Sequence, residues 1–93
     1  MKELVFLDSA LQEIGAAQAY YLEISPALAK HFRDCLLQRL REIQGHPKSC
    51  RKVSNTSRRA NLSDFPYAIF YEEQRTLILI QALLHQASQK SQL

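Results

Sequence analysis

Glycine occurs only twice and proline three times in the 93 residues, so the chain is neither collagen-like nor a low-complexity linker. It also holds no glycine-rich loop of the kind that cradles a phosphate. Cysteine is as scarce. Cys35 falls in a helical pattern and Cys50 in a loop, a spacing that matches neither a disulfide framework nor a zinc motif. Both are read as reduced thiols of a cytoplasmic protein. With no Ser-His-Asp pattern and no sequence cluster of His, Cys and carboxylates, the reading includes no cofactor and no metal. Long apolar runs are missing too. The opening MKELVFLDSALQEIGAAQA has the lysine, the short apolar LVFL and the small residues of a secretory signal, but Asp8, Gln12 and Glu13 interrupt its apolar region. Nothing approaches the ~20 apolar residues of a bilayer span, and no membrane partner is expected. The last absence is of negative charge. No Asp or Glu lies between Glu42 and Asp64, whereas Lys48, Arg51, Lys52, Arg58 and Arg59 all do. The net charge of +3 is too mild to name a partner, and direct sequence-specific DNA binding is not expected. The acid-free window is a local basic patch that faces either solvent or an anion.

What is present is the composition of an ordinary folded domain, 46% hydrophobic and 23% charged, in a chain of a length that builds one core. Residues Glu3–Leu7 read as a short strand. Ser9 followed by Gln12 has the form of a capping box and opens a helix over 9–24, with Leu11, Ile14, Ala17 or Gln18, Tyr21 and Ile24 as its apolar stripe. Ser25-Pro26 starts a second helix, because a capping hydroxyl precedes a proline whose missing N–H costs nothing at the first helical position. Its stripe is Leu28, Phe32, Cys35 with Leu36, Leu40 and Ile43, and Gly45-His46-Pro47 ends it. Strands are expected near Arg51–Val53, Arg59–Leu62, Tyr67–Glu72 and Thr76–Leu84, with the turn of a hairpin at Glu73–Arg75. Pro66 must stand at a strand start, an edge or a bulge, because it cannot donate to a ladder. The run Leu77–Leu84 is apolar on both faces and suits a central strand. The order predicts an α+β fold, an N-terminal strand and an antiparallel helical hairpin on one face of a mainly antiparallel sheet of three to four strands. A single domain over 1–85 and a polar tail over 86–93 follow.

Such a sheet leaves one face without helices, and function is expected there. On consecutive residues of an extended segment Arg58 and Arg59 point to opposite faces and cannot share one job. Tyr67 and Tyr71 share a face with Ile69 between them, and their hydroxyls are candidate partner contacts, whereas Phe65, Ile69 and Phe70 read as core. His85 ends the central strand, from which its ring is expected to reach the open face. His31 and His46 read as surface or capping residues. A metal-free set of Arg, Lys, His and Glu has the chemistry to cleave RNA, a base taking the 2′-hydroxyl proton, arginine stabilising the phosphorane and an acid protonating the leaving oxygen.

The segments FLDSALQEIGAAQAYY, SPALAKHF, IQGHP, RRANLSDFPYAIFYEE and LILIQALLH, in this order, resemble the RelE/ParE superfamily of toxins from bacterial toxin–antitoxin pairs, with Arg59 six residues ahead of Phe65-Pro66-Tyr67 as the most specific feature. The resemblance implies a cognate antitoxin whose acidic and apolar C-terminal segment wraps the toxin. It also implies one of two targets. ParE-like members poison DNA gyrase and are not enzymes; RelE-like members cut messenger RNA on the ribosome with a basic cluster and a late tyrosine or histidine. The absence of any tyrosine after Tyr71 and the loop-borne basic residues place this chain nearer ParE. The resemblance also implies that Arg59, in register with the matching family position, faces the functional side, which leaves Arg58 outward in the solvated loop. Partner contacts are then expected at Arg59, Tyr67, Tyr71 and His85; for a nuclease, the catalytic residues would be Arg59, His85 and Lys52. The tail carries Ser88 and Lys90 where many members have an arginine and a proline, so a non-toxic remnant that only binds its antitoxin is the third alternative.

Overall fold

The computed structural model of the chain describes residues 1–87. Its elements are β1 (Glu3–Phe6), α1 (Asp8–Ile24), α2 (Pro26–Gly45), β2 (Arg58–Asn61), β3 (Tyr67–Glu73) and β4 (Leu77–His85). The helix boundaries follow from capping, though not always the expected cap. The Ser9/Gln12 capping box does not form: Leu7 is the N-cap of α1 and makes no side-chain bond. The reason is the strand before it. Leu7 still donates its N–H to the Ile80 carbonyl at 3.0 Å, so the sheet carries the chain straight into the helix and places the cap two residues early. Between the helices Ser25 does two jobs. Its N–H donates to the Tyr21 carbonyl and closes α1, while its Oγ accepts from the Leu28 N–H at 3.0 Å and opens α2, with Pro26 in the first turn. A one-residue connection makes the hairpin.

The sheet order is β1-β4-β3-β2, with β1 parallel to β4 and the other two pairings antiparallel. The long apolar run is central, as its two-sided hydrophobicity requires. Leu4, Phe6, Ile69, Tyr71, Ile78, Ile80 and Leu83 join the helices in one core. On α2 the buried line is Ala29, Phe32, Leu36, Leu40 and Ile43, which keeps the expected stripe from Phe32 onward but has Ala29 where Leu28 was expected, Leu28 and Cys35 being only partly buried; on α1 it is Ala10, Ala17 and Tyr21, and Leu11 and Ile24 are instead 51% and 58% exposed. Alanine at two of the three positions brings α1 close to its neighbours, and the bulkier Leu11 is turned out. An aromatic cluster fills the end of the core: Tyr21 lies 5.1 Å from Phe32 and 4.9 Å from Phe65, and Phe32 lies 5.7 Å from Tyr67, between ring centroids.

Pro66 stands immediately before β3, where no ladder N–H is asked of it. The expected strand at Arg51–Val53 reduces to one bridge between Lys52 and Arg58. β4 carries a bulge: Phe70 pairs with Ala82 but Tyr71 with Ile80, leaving Gln81 as the extra residue. The N–H of Leu83, next to the bulge, goes to the Glu13 carboxylate on α1 at 3.0 Å. Among the described residues no helix is long and apolar enough to cross a membrane. The polar tail lies outside the described residues from position 88 onward.

Candidate functional site

Register assigns each strand residue to a face. On the helix side stand Arg58, Ala60, Tyr67, Ile69, Tyr71, Ile78, Ile80, Leu83 and His85. The opposite side carries Val5, Arg59, Asn61, Phe70, Leu79 and Ala82. Among the described residues no element packs over that second face. Val5, Phe70, Leu79 and Ala82 are only partly buried there, so the middle of the face is apolar. Phe70, read from sequence as core, belongs to this face.

Arg59 stands at its margin, opposite Phe70 in the β2–β3 ladder. Its Nε donates to Asn61 Oδ1 at 3.0 Å, and its guanidinium carbon sits 6.0 Å from the centre of the Phe70 ring. Two contacts therefore fix the plane of the guanidinium and leave the terminal nitrogens without a partner among the described residues. They border a shallow hollow of about 250 Å³ lined by Arg51, Val53, Arg59 and Asn61. A planar fork held in this way is suited to a carboxylate or phosphate taken bidentately. Among the described residues Arg51, Lys52 and Arg59 have no acidic partner.

Arg58 takes the other face, as consecutive strand residues must. It is not the solvated loop cation expected from sequence. Its Nη1 donates to the Cys50 carbonyl at 2.6 Å and approaches the Lys48 carbonyl at 3.3 Å, tying the basic loop to the sheet. Tyr71 is likewise a structural residue: it is fully buried and donates its hydroxyl to the Pro47 carbonyl at 2.8 Å, so a partner cannot reach it. Burial, and then Cys50, pushes its hydroxyl well above the ordinary tyrosine range. Tyr67 is half-buried on the same helix side, and burial raises its hydroxyl as well.

His85 does not reach the open face. The bulge at Gln81 changes the parity of β4, so Leu83 and His85 follow Ile80 on the helix side, whereas strict alternation from Ile80 would turn His85 out. Its ring packs edge-on to Tyr67 at 5.1 Å, and its Nδ1 accepts from the Ala87 N–H at 3.0 Å. Lys52 lines a different hollow, with Lys48, Asn55, Thr56, Arg58, Glu72 and Glu73. The three residues of the nuclease reading are thus not brought together.

Some of the site was missed in the sequence. Asn61, two residues after Arg59, shares its face by period alone and was legible; Gln81, whose Oε1 accepts from Ser57 Oγ at 2.8 Å beside this face, was not, because its position depends on the bulge. A second group also forms. His31, Cys35 and Asp64 place a ring nitrogen, a thiol and a carboxylate oxygen within 4.8 Å of one another. The i, i+4 spacing of His31 and Cys35 was visible; the loop residue that completes the group was not.

With the fold and face in view, comparison with known proteins gives likenesses in family and in fold. The family described as the ParE toxin of the type II toxin–antitoxin system parDE matches residues 4–90. Among solved structures, a chain of the chromosomal ParDE toxin–antitoxin system from P. aeruginosa superposes with a TM-score of 0.78 at 17% identity, covering 91% of this chain and 96% of that one. At that identity the superposition shows the fold alone. No curated protein sequence matches the chain.

Proposed function

The chain belongs to the family of ParE toxins of type II toxin–antitoxin systems, and on that premise we propose that it acts in the cytoplasm by inhibiting DNA gyrase, and that a cognate antitoxin holds it inactive. Gyrase is the target that the ParE resemblance implies. The observation that carries this choice over messenger-RNA cleavage is the placement of Arg59 and His85 on opposite faces of the sheet, with Lys52 in a separate hollow. A general acid and a phosphorane-stabilising arginine must meet at one phosphate, within about 3 Å of the reacting atoms. Here they are divided by the sheet itself.

The antitoxin is read onto the helix-free face. An acidic and apolar segment has there an apolar middle in Val5, Phe70, Leu79 and Ala82 and an oriented guanidinium at its margin in Arg59. Coupled folding of such a segment buries on the order of 1,000–3,000 Å². The isolated toxin, with no described element over that face, is expected to self-associate. The function is tested by inducing the chain in cells with and without the adjacent antitoxin frame and mapping messenger-RNA ends by primer extension. Growth arrest without new RNA ends, relieved by the antitoxin, is the expected result. New ends within translated messages would replace gyrase by the ribosome, and unimpaired growth without the antitoxin would make the chain a remnant.

A further inference from the structure

His31 and Cys35 stand one turn apart on α2, so their side chains share a face of the helix. Asp64 comes from the loop between β2 and β3 with φ at 68°, the left-handed region that aspartate tolerates better than most residues. The loop thereby brings the carboxylate to the helix: Asp64 Oδ2 lies 3.0 Å from His31 Nε2, and Cys35 Sγ lies 4.0 Å from each of the two ring nitrogens. An ion pair accounts for the histidine and the aspartate. It leaves unexplained a thiol set beside both.

We propose that His31, Cys35 and Asp64 are the protein ligands of a site for a divalent, borderline-soft cation of the zinc class, with the remaining coordination position open to solvent. Zinc accepts this mixture of imidazole nitrogen, thiolate and carboxylate, at about 2.0–2.3 Å each, which in tetrahedral geometry sets the donors roughly 3.3–3.6 Å apart. The His31–Asp64 and His31–Cys35 separations of 3.0 and 4.0 Å bracket that value, and the third pair, Cys35 and Asp64, lies within 4.8 Å, so side-chain rotation has to draw the thiol and the carboxylate together. Such rotation is free here, because the side chains of His31 and Asp64 are 51% and 63% exposed, and an ion reaches them directly from solvent. A thiolate and a carboxylate together balance a double positive charge. The thiolate also sets the selectivity, since magnesium and calcium take oxygen donors. Bound there, the cation would join α2 to the corner that carries Phe65, whose ring lies 5.2 Å from His31 and packs against Phe32. This site is independent of the gyrase reading.

The test uses the full, untagged, reduced chain, with Zn²⁺ in competition against a chromophoric chelator and Co²⁺ as a spectroscopic probe. One equivalent of zinc is expected, together with a cobalt–thiolate charge-transfer band. Cys35→Ser should abolish the band and weaken zinc more than about a hundredfold, beyond the roughly 10–100-fold that loss of an outer partner costs. Asp64→Asn, which keeps a residue suited to the left-handed backbone, and His31→Gln should each weaken it about tenfold or more, with circular dichroism confirming the fold of every variant. Zinc should also raise the melting temperature of the parent chain and not that of Cys35→Ser. A Cys50→Ser control should behave as the parent. The proposal is overturned if the parent takes up no zinc at micromolar concentration, if the cobalt band survives Cys35→Ser, or if all variants bind zinc alike.

Discussion

Replacing Tyr71 by phenylalanine removes one oxygen atom from a fully buried position and leaves the ring to fill its place. The lost hydroxyl is the donor to the Pro47 carbonyl at 2.8 Å, the bond that fastens the residues after α2 to the sheet. The Pro47 carbonyl is only part-buried, and an acceptor orphaned there costs about 1–3 kcal/mol, toward the lower end where water can follow. For a domain of this size each kcal/mol moves the melting temperature by about 4–8 °C, so a fall of about 4–24 °C is expected for Tyr71→Phe. Alkaline pH supplies a second readout. Burial raises the folded hydroxyl above its ordinary value of 10.0, so the folded state keeps a proton that the unfolded state loses. The unfolded chain then binds fewer protons, and stability that is full below about pH 10 falls as pH rises beyond it. In Tyr71→Phe that decline should be shallower, with Tyr21 and Tyr67, both also raised by burial, accounting for the part that remains. Urea and thermal unfolding of both proteins from pH 7 to 11 measure the two effects. An unchanged melting temperature together with an unchanged alkaline slope would show that the hydroxyl anchors nothing.

Arg58→Ala should lower stability by about 1 kcal/mol and speed amide exchange in residues 46–57, because the Cys50 and Lys48 carbonyls lose their charged donor, while antitoxin affinity stays near that of the parent. Glu13→Ala should cost about 1–3 kcal/mol in denaturant unfolding by stranding the Leu83 N–H beside the bulge, and Glu13→Gln, which keeps an acceptor oxygen, should cost much less. Phe32→Ala, at the centre of the aromatic cluster, should cost about 3–5 kcal/mol and leave little folded protein at 37 °C by calorimetry.

The parts of the fold governed by period and capping were legible. Ser25-Pro26, the buried line of α2 from Phe32 onward and the central place of Leu77–His85 all follow from local chemistry that tertiary packing did not override. The errors arose where one element's pairing reached into the next. Strand bonding through Leu7 displaced the cap from Ser9, and alanines turned the buried line of α1 away from Leu11. At the site, alternation separated Arg59 from Arg58, but the position of His85 at the strand end did not bring its ring to the other face, because a single extra residue in β4 reverses the parity of everything after it. A bulge has no reliable sequence mark here, since Gln81 is an ordinary residue in a strand. The roles of Arg58 and Tyr71 depend on loop carbonyls whose positions only the fold decides.

The most direct measurement of the proposed function is DNA supercoiling by purified gyrase in the presence of the purified chain, with Arg59→Ala and the cognate antitoxin alongside. The parent chain should stop supercoiling or trap gyrase on cleaved DNA, and added antitoxin should restore the reaction. In a parallel titration Arg59→Ala should bind the antitoxin segment more weakly, as loss of a bidentate charged contact requires. Normal supercoiling at saturating, folded chain would contradict the gyrase assignment.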